Sequence, residues 1–328
     1  MKLTHLILAS ASVIALTVAP AAAQEKKHAI ATFISGGPTG TWFPTATAIS
    51  ELVNKHYDGQ PVSTIPGKGA IGNPLAVGSG KADFGLSYGP FLRAIYDGNN
   101  PVMPKEGMKN LRTIANVVAN TVQISMAGDV PKDIFSQVKN GAKVRIGVGA
   151  KGSSNLFGIE RIMEMHGTDF KGIEAAGGTV MEGAQEGLLD AYMNRQIDIY
   201  TNTVGLLASD LQQATAARDS YLFDMPDEIR DRMVKDWGYT KFDIPAGTYT
   251  GQDKPVRALN LPTTIFTSAD MDDEIVYLMV KDMAENQDRL ISAYGGFKTW
   301  KPEDMPDSHP IPTHPGAVKY YKERGWMK

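Results

Sequence analysis

Short apolar stretches alternate with amphipathic stretches along the chain from about residue 29 onward. Continuous apolar runs predict buried strands, and apolar positions three or four residues apart predict helices. The clearest helical stripe lies in 41–57, and Pro44 falls in its first turn, where a missing N–H does little harm. This alternation of strands and helices favours a layered α/β fold whose strands are largely parallel.

The predicted elements form two successive units. In the first, strands are predicted over 28–35, 62–65, 82–87 and 111–118, and helices over 41–57, after Asn73 as the cap residue, and over 90–97. In the second unit, strands are predicted over 122–126, 144–148, 170–176, 197–200 and 256–267. Helices are predicted over 154–165, over 273–290 and near 317–324. One further helix is predicted to begin with a capping box of Thr179 and Glu182, and another to follow residue 200.

The N-terminus has the pattern of a secretory signal peptide. Lys2 precedes an apolar run over 6–18, and small residues lead to a predicted cleavage after Ala23. The run is shorter than the ~20 residues of a membrane-spanning helix. No second long apolar segment follows, so we expect an exported protein that is not embedded in the membrane.

Composition narrows the function classes. The chain has 328 residues, 42% of them apolar, and a formal net charge of −3, which argues against nucleic acid as a partner. It has no cysteine, which excludes disulfides, thiolate catalysis and lipid attachment at an N-terminal cysteine. An exported binding protein without such a tether is expected in the periplasm of a Gram-negative cell.

Three glycine-rich loops each connect a predicted strand to a predicted helix. They lie at 36–41, 66–70 and 151–155. Glycines allow close backbone approach, and helix N-termini offer free N–H groups and a dipole that favours an anion. Ligands of open α/β sheets bind at such strand ends, so we expect the loops to converge on one cleft.

Recognised catalytic, nucleotide and metal motifs are missing. The chain has no P-loop, no dinucleotide-binding glycine pattern, no H-E-x-x-H and no nucleophile elbow. The acidic pairs at 227–228 and 272–273 lie at predicted helix starts, where they cap the helix or favour its dipole. We therefore predict no catalytic residues, no metal and no cofactor.

Several segments resemble the TAXI family, the substrate-binding subunits of TRAP transporters. The resemblance rests on the stretches 244–253, 274–277, 314–325, 36–44, 67–73 and 149–155. It implies a two-lobed periplasmic-binding-protein type II fold, with two mixed, mostly parallel sheets flanked by helices and a hinge of two chain crossings. We assign 1–23 to the signal peptide, 27–120 with 256–328 to lobe 1, and 121–255 to lobe 2.

The resemblance also implies a function without covalent chemistry. A small carboxylate, such as a glutamate-like amino acid or a dicarboxylate, would bind between the lobes and pass to fused or paired TRAP membrane permease subunits. Three alternatives remain open at this point: a sensor domain acting on a membrane kinase, a periplasmic enzyme on the same fold, and a binding protein of an ATP-driven importer.

Fourteen residues are candidates for ligand binding. They are Gly40, Thr41, Trp42, Lys68, Ala70, Asn73, Ser87, Tyr88, Ser153, Ser154, Asn155, Asn202, Thr203 and Tyr249. Some have equally ordinary structural readings: Trp42 as core, Asn73 as a helix cap, Lys68 as a solvated loop charge and Tyr249 as packing.

Overall fold

The computed structural model describes residues 31–59, 61–98 and 106–328. The predicted signal peptide over 1–23, the start of lobe 1 at 27 and the first residues of the first predicted strand lie outside these ranges. No helix in the described ranges combines the length and apolar character needed to cross a membrane.

The elements follow one another in the predicted alternation. The strands are β1 (Ala31–Ile34), β2 (Val62–Ile65), β3 (Phe84–Tyr88), β4 (Leu111–Ala127), β5 (Arg145–Gly147), β6 (Thr179–Met181), β7 (Ile199–Val204), β8 (Ser220–Leu222), β9 (Thr240–Ile244) and β10 (Val256–Ser268). The helices are α1 (Trp42–Asn54), α2 (Gly69–Gly78), α3 (Gly89–Asp97), α4 (Ile134–Gln137), α5 (Ser154–Met165), α6 (Phe170–Ala175), α7 (Gln185–Met193), α8 (Ser209–Ala217), α9 (Asp227–Trp237), α10 (Asp273–Glu285), α11 (Gln287–Ala293) and α12 (Pro315–Glu323).

The strands form two parallel groups joined by two long strands. The first strand group is β2-β1-β3 and the second is β6-β5-β7. Strands β10 and β4 lie between them and are antiparallel to each other. Strand β10 is antiparallel to β3 of the first group, and β4 is antiparallel to β7 of the second. The two predicted sheets are therefore continuous in one mixed sheet of order β2-β1-β3-β10-β4-β7-β5-β6, with β8 added to β4 and β9 to β10.

Helix α1 shows why this sequence folds onto the sheet as predicted. The stripe of Trp42, Ala46, Ile49 and Val53 is buried, and it belongs to the larger hydrophobic core, which also contains Phe33 and Phe84 of the first strand group. The predicted helix 41–57 is therefore confirmed. Gly98, in the left-handed conformation at φ 73°, ends α3 as predicted.

The prediction of a strand over 170–176 is wrong. It forms α6, because the Asp169 carboxylate accepts a hydrogen bond of 2.6 Å from Gly172 N and caps the helix. The apolar residues of this short segment fit either structure, so their spacing alone could not decide.

The predicted capping box is wrong as well. Thr179 begins β6, where its N–H donates to the Val144 carbonyl at 2.7 Å, and the next helix, α7, begins only at Gln185. The long helix predicted over 273–290 is divided at Asn286 into α10 and α11. Asp272 caps α10 as expected, accepting from Glu274 N at 2.7 Å.

We expect three histidines, the buried His314 and the half-buried His166 and His309, to make the stability depend on pH. Burial lowers the pKa of His166, His309 and His314. His314 Nδ1 accepts from Gly316 N at 3.2 Å and so caps α12 as a neutral ring. The unfolded chain binds more protons below the ordinary histidine pKa of about 6.5, so stability is lost as pH falls below that value.

We expect the free energy of unfolding in urea to decrease between about pH 7 and pH 5. His314→Asn keeps a capping acceptor but cannot titrate, and its decrease should be smaller. An identical decrease in both proteins would contradict a contribution from His314.

Candidate ligand-binding site

Four helices begin around one cavity between the two strand groups. Helices α1 and α2 follow strands of the first group, and α5 and α7 follow strands of the second. Residues at or just before all four starts line a space of about 280 Å³. Free N–H groups and the positive ends of four helix dipoles therefore lie around the same space, which favours an anionic group.

Eleven of the fourteen candidate residues line this cavity. They are Gly40, Thr41, Trp42, Lys68, Ala70, Tyr88, Ser153, Ser154, Asn155, Asn202 and Thr203. The three glycine-rich loops thus come together from distant parts of the chain.

Two aromatic residues form part of the wall on the side of the first strand group. The rings of Trp42 and Tyr88 lie 4.8 Å apart between centroids, and Trp42 is also part of the core stripe. The Tyr88 hydroxyl donates to the Thr203 carbonyl at 3.1 Å and accepts from Asn120 Nδ2 at 2.8 Å. Burial raises the pKa of Tyr88 far above its ordinary value, so the hydroxyl stays neutral and bridges the two strand groups.

Asn155 presents a buried acceptor that has no protein partner. Its Nδ2 donates to both the carbonyl and the hydroxyl oxygen of Thr201, each at 2.9 Å. The Thr201 hydroxyl donates its proton to the Gly147 carbonyl at 2.7 Å. The Thr201 hydroxyl and carbonyl oxygens can therefore only accept from Asn155. The amide orientation is therefore fixed, and Asn155 Oδ1 is left without a donor among the described residues.

Thr203 carries the second unpartnered group. It is 8% exposed, and its hydroxyl has no hydrogen-bond partner among the described residues. Buried polar groups are nearly always paired with protein or water, so Asn155 Oδ1 and Thr203 Oγ1 are both available to pair with a water molecule or a ligand.

The neighbouring Asn202 donates a hydrogen bond to the buried carboxylate of Asp210. Asp210 Oδ2 accepts from Asn202 Nδ2 at 2.6 Å and from the Tyr200 hydroxyl at 2.7 Å. Burial raises the pKa of the Asp210 carboxyl. This contact fixes the side chain of Asn202 at the cavity wall.

Asn73 does not line the cavity and does not cap a helix. It lies inside α2, fully buried, and its Nδ2 donates to the carbonyls of Ser35 at 2.7 Å and Leu86 at 2.9 Å. Its Oδ1 accepts from Lys68 N at 3.0 Å. It therefore connects the end of β1 and the middle of β3 to the second glycine-rich loop and supports the cavity from outside.

Ser87 is likewise used inside the protein. Its hydroxyl donates to the Ala70 carbonyl at 2.6 Å. That carbonyl lacks its usual helical partner because the residue four positions later is Pro74, which has no N–H. The Ser87 hydroxyl therefore replaces the missing helical hydrogen bond, and Ser87 is not part of the cavity lining.

Tyr249 lies away from the cavity. Its hydroxyl accepts from Leu207 N at 3.1 Å and donates to Gln123 Oε1 at 2.5 Å. It lines a surface groove of about 580 Å³ together with residues 220–224 and 250–256. This groove is larger than the cavity, but all its lining residues lie within 132–256, and none of them belongs to the three glycine-rich loops.

Several lining residues were not predicted. The most important are Asn120 in β4, Lys151 in the third loop, and Gln185 and Glu186 at the start of α7. Glu186 Oε1 accepts from Thr39 Oγ1 at 3.2 Å, so it also joins the two strand groups. Strand β4 also carries the polar residues Asn116, Thr121 and Gln123, so no local signal distinguished Asn120 as a site residue.

Comparison with protein families identifies the group to which this architecture belongs. A model described as the NMT1-like family matches residues 30–325. The chain belongs to this family.

Solved structures place this NMT1-like chain in a known fold. The periplasmic binding protein BugD is 13% identical, with a TM-score of 0.54, and the match covers 91% of this chain and 98% of BugD. MatC from Rhodopseudomonas palustris, solved with bound malate, is 14% identical, with a TM-score of 0.53, and the match covers 90% of this chain and 97% of MatC. These similarities confirm the predicted α/β periplasmic-binding-protein fold with a mixed sheet flanked by helices.

Proposed function

We propose that this NMT1-like chain is the periplasmic solute-binding subunit of a TAXI-type TRAP transporter. It captures a small carboxylate, a glutamate-like amino acid or a dicarboxylate, in the cavity between the strand groups, and delivers it to membrane permease subunits. It performs no reaction on the ligand. We assign the first strand group, within 27–120 and 256–328, to lobe 1 and the second, within 121–255, to lobe 2.

The observation that carries the proposal is the meeting of four helix N-termini around two unpartnered buried polar groups. Helix N–H groups can take the carboxylate oxygens, and Asn155 and Thr203 can take further polar atoms of the ligand. Lys68 and Lys151 add positive charge at the cavity wall. MatC, which has the same fold, contains malate, and this supports a carboxylate as the ligand.

The long strands supply a hinge for ligand-dependent closure. The second half of β10 pairs with β3 of the first strand group, the second half of β4 pairs with β7 of the second, and the two long strands pair with each other. Moving an equilibrium from mostly open to mostly closed needs about 5.5 kcal/mol of differential affinity. A few charge-assisted hydrogen bonds of ~1.5–3 kcal/mol each supply that amount.

A thermal-shift screen of the purified protein against small carboxylates tests the proposal. Ligand at about 100 times its Kd adds about 2.7 kcal/mol to the free energy of unfolding, so at least one acid should raise the melting temperature clearly. The ligand should be recovered unchanged by mass spectrometry. A broad panel without any shift would contradict a carboxylate ligand, and conversion of the ligand would indicate an enzyme.

Thr203→Val should weaken binding of the acid found in that screen by roughly tenfold or more without lowering stability. The hydroxyl has no partner in the protein, and a hydrogen bond to a charged ligand contributes ~1.5–3 kcal/mol. Isothermal titration calorimetry measures the affinity and urea unfolding the stability.

Thr267→Val is the matched control. Thr267 lies in β10, and its hydroxyl donates to the Asp83 carbonyl at 2.7 Å, so its loss should cost about 1 kcal/mol of stability and leave affinity unchanged. Equal affinity of the Thr203→Val and wild-type proteins would remove Thr203 from the site.

A further inference from the structure

The hydrogen-bond acceptors in the cavity wall indicate which donor groups the ligand carries, whereas the helix N-termini indicate only its negative charge. Asn155 Oδ1 is buried, unpartnered and limited to accepting, because both Asn155 Nδ2 hydrogens are committed to Thr201. A carboxylate or keto oxygen placed against it would bring two acceptors together. Only an N–H or O–H group of the ligand satisfies it.

Glu186 adds a negative charge to a cavity otherwise arranged for an anion. Its side chain is half-buried, and its described hydrogen-bond donor is the neutral hydroxyl of Thr39. Within 31–59, 61–98 and 106–328, no Lys, Arg or His nitrogen lies within 4.0 Å of its carboxylate. The start of α7 favours this charge, but a second anionic group of the ligand placed next to it would be repelled.

The two acceptors lie on neighbouring elements. Asn155 is in the first turn of α5, which follows β5, and Glu186 is in the first turn of α7, which follows β6. Strands β5 and β6 are paired, and Gly183 N donates to the Gly149 carbonyl at 3.3 Å between the two loops. The second strand group therefore presents a neutral acceptor and a carboxylate on one wall of the cavity.

We infer that the cavity selects a carboxylic acid that also carries an ammonium group, with the ammonium on the wall formed by Asn155 and Glu186. This inference rests on the proposed function and decides between the two ligand classes named there. A charged N–H donor can pair with either acceptor, whereas the oxo group of the corresponding oxo acid can pair with neither. A site built around a hydrogen-bonding group rejects analogues that lack it.

Calorimetric titration of the purified protein with matched acids tests the inference. One series is L-glutamate, 2-oxoglutarate, 2-hydroxyglutarate and glutarate, and the other is L-norvaline, 2-oxopentanoate and pentanoate. In the series that binds, the amino acid should bind at least about tenfold more tightly than the oxo acid and the unsubstituted acid. Equal or tighter binding of the oxo acid overturns the inference and leaves the proposed function standing. If neither these acids nor the wider carboxylate panel bind, the proposed function fails, and the inference fails with it.

Two variants separate the charge of Glu186 from its contact with Thr39. Glu186→Gln keeps an oxygen that accepts from Thr39 but removes the charge, and it should reduce the preference for the amino acid over the oxo acid by about tenfold. Glu182→Gln makes the same charge change on an exposed side chain that does not line the cavity, and it should leave the preference unchanged. An unchanged preference in Glu186→Gln, at wild-type melting temperature, would mean that Glu186 only joins the two strand groups.

Discussion

We expect Asn73→Asp to lower the free energy of unfolding by about 3–5 kcal/mol, the range for leaving a buried charge unpaired. The substitution keeps the shape of the side chain but exchanges the Nδ2 donor for an oxygen. That oxygen would face the carbonyls of Ser35 and Leu86, which now accept from Nδ2 at 2.7 and 2.9 Å. Three acceptors would then meet in a site without exposure to solvent.

Urea unfolding followed by circular dichroism measures this loss. Asn140→Asp makes the same change on an exposed side chain and should stay within about 0.5 kcal/mol of the wild type. Asn73→Asp keeps the oxygen that accepts from Lys68 N, so the loss is assigned to the contacts with Ser35 and Leu86. Unfolding curves that coincide for Asn73→Asp and the wild type would contradict the supporting role assigned to this residue.

Asn73 illustrates how far the sequence alone could lead. An asparagine before a proline is a reasonable helix cap, and the local pattern contains nothing that argues against it. Its actual partners, Ser35 and Leu86, lie 38 and 13 positions away, and only the folded sheet brings them to it. Ser87 and Tyr249 were also candidates for the site, and their hydroxyls likewise bind partners distant in sequence.

Local patterns succeeded where a single element decides the structure. The stripe on α1 and the glycine that ends α3 each act within one helix and its caps. The Gly98 N–H, for example, donates to the Ala94 carbonyl at 2.9 Å. Because glycine-rich loops before such helices must lie at strand ends, the sequence could also indicate where the cavity forms.

The region between α5 and α7 shows why the remainder could not be predicted. Whether 170–176 or 179–181 forms the strand depends on which segment pairs with β5, and that choice is made across the sheet. Misplacing the strand also misplaced the start of α7. Gln185 and Glu186 were therefore not recognised as residues of the cavity wall.

Gly205→Ala should lower ligand affinity by about 5- to 150-fold, the second large effect. Gly205 follows β7, and a Cβ atom built on it would overlap the hydroxyl end of Tyr294 and lie 3.0 Å from Thr41 Cγ2. Tyr294 and Thr41 are on the side of the first strand group, so the added methyl group obstructs the approach of the two proposed lobes. Overpacking of this kind costs ~1–3 kcal/mol, and under the proposed closure that cost is paid only in the closed, ligand-bound state.

Calorimetric titration of the variant and urea unfolding of its ligand-free form separate closure from folding. Ligand-free stability should change little, and Gly187→Ala, where a Cβ atom meets no neighbour within 4 Å, should bind like the wild type. Tyr294→Ala alone should weaken binding, because the Tyr294 hydroxyl donates to the Leu206 carbonyl at 3.3 Å across the two groups. Added to Gly205→Ala, the same substitution should bring affinity to the level of Tyr294→Ala alone, since it removes the ring that the new methyl group meets. If Gly205→Ala binds as tightly as the wild type, ligand capture does not require the close approach of the two strand groups that the structure shows.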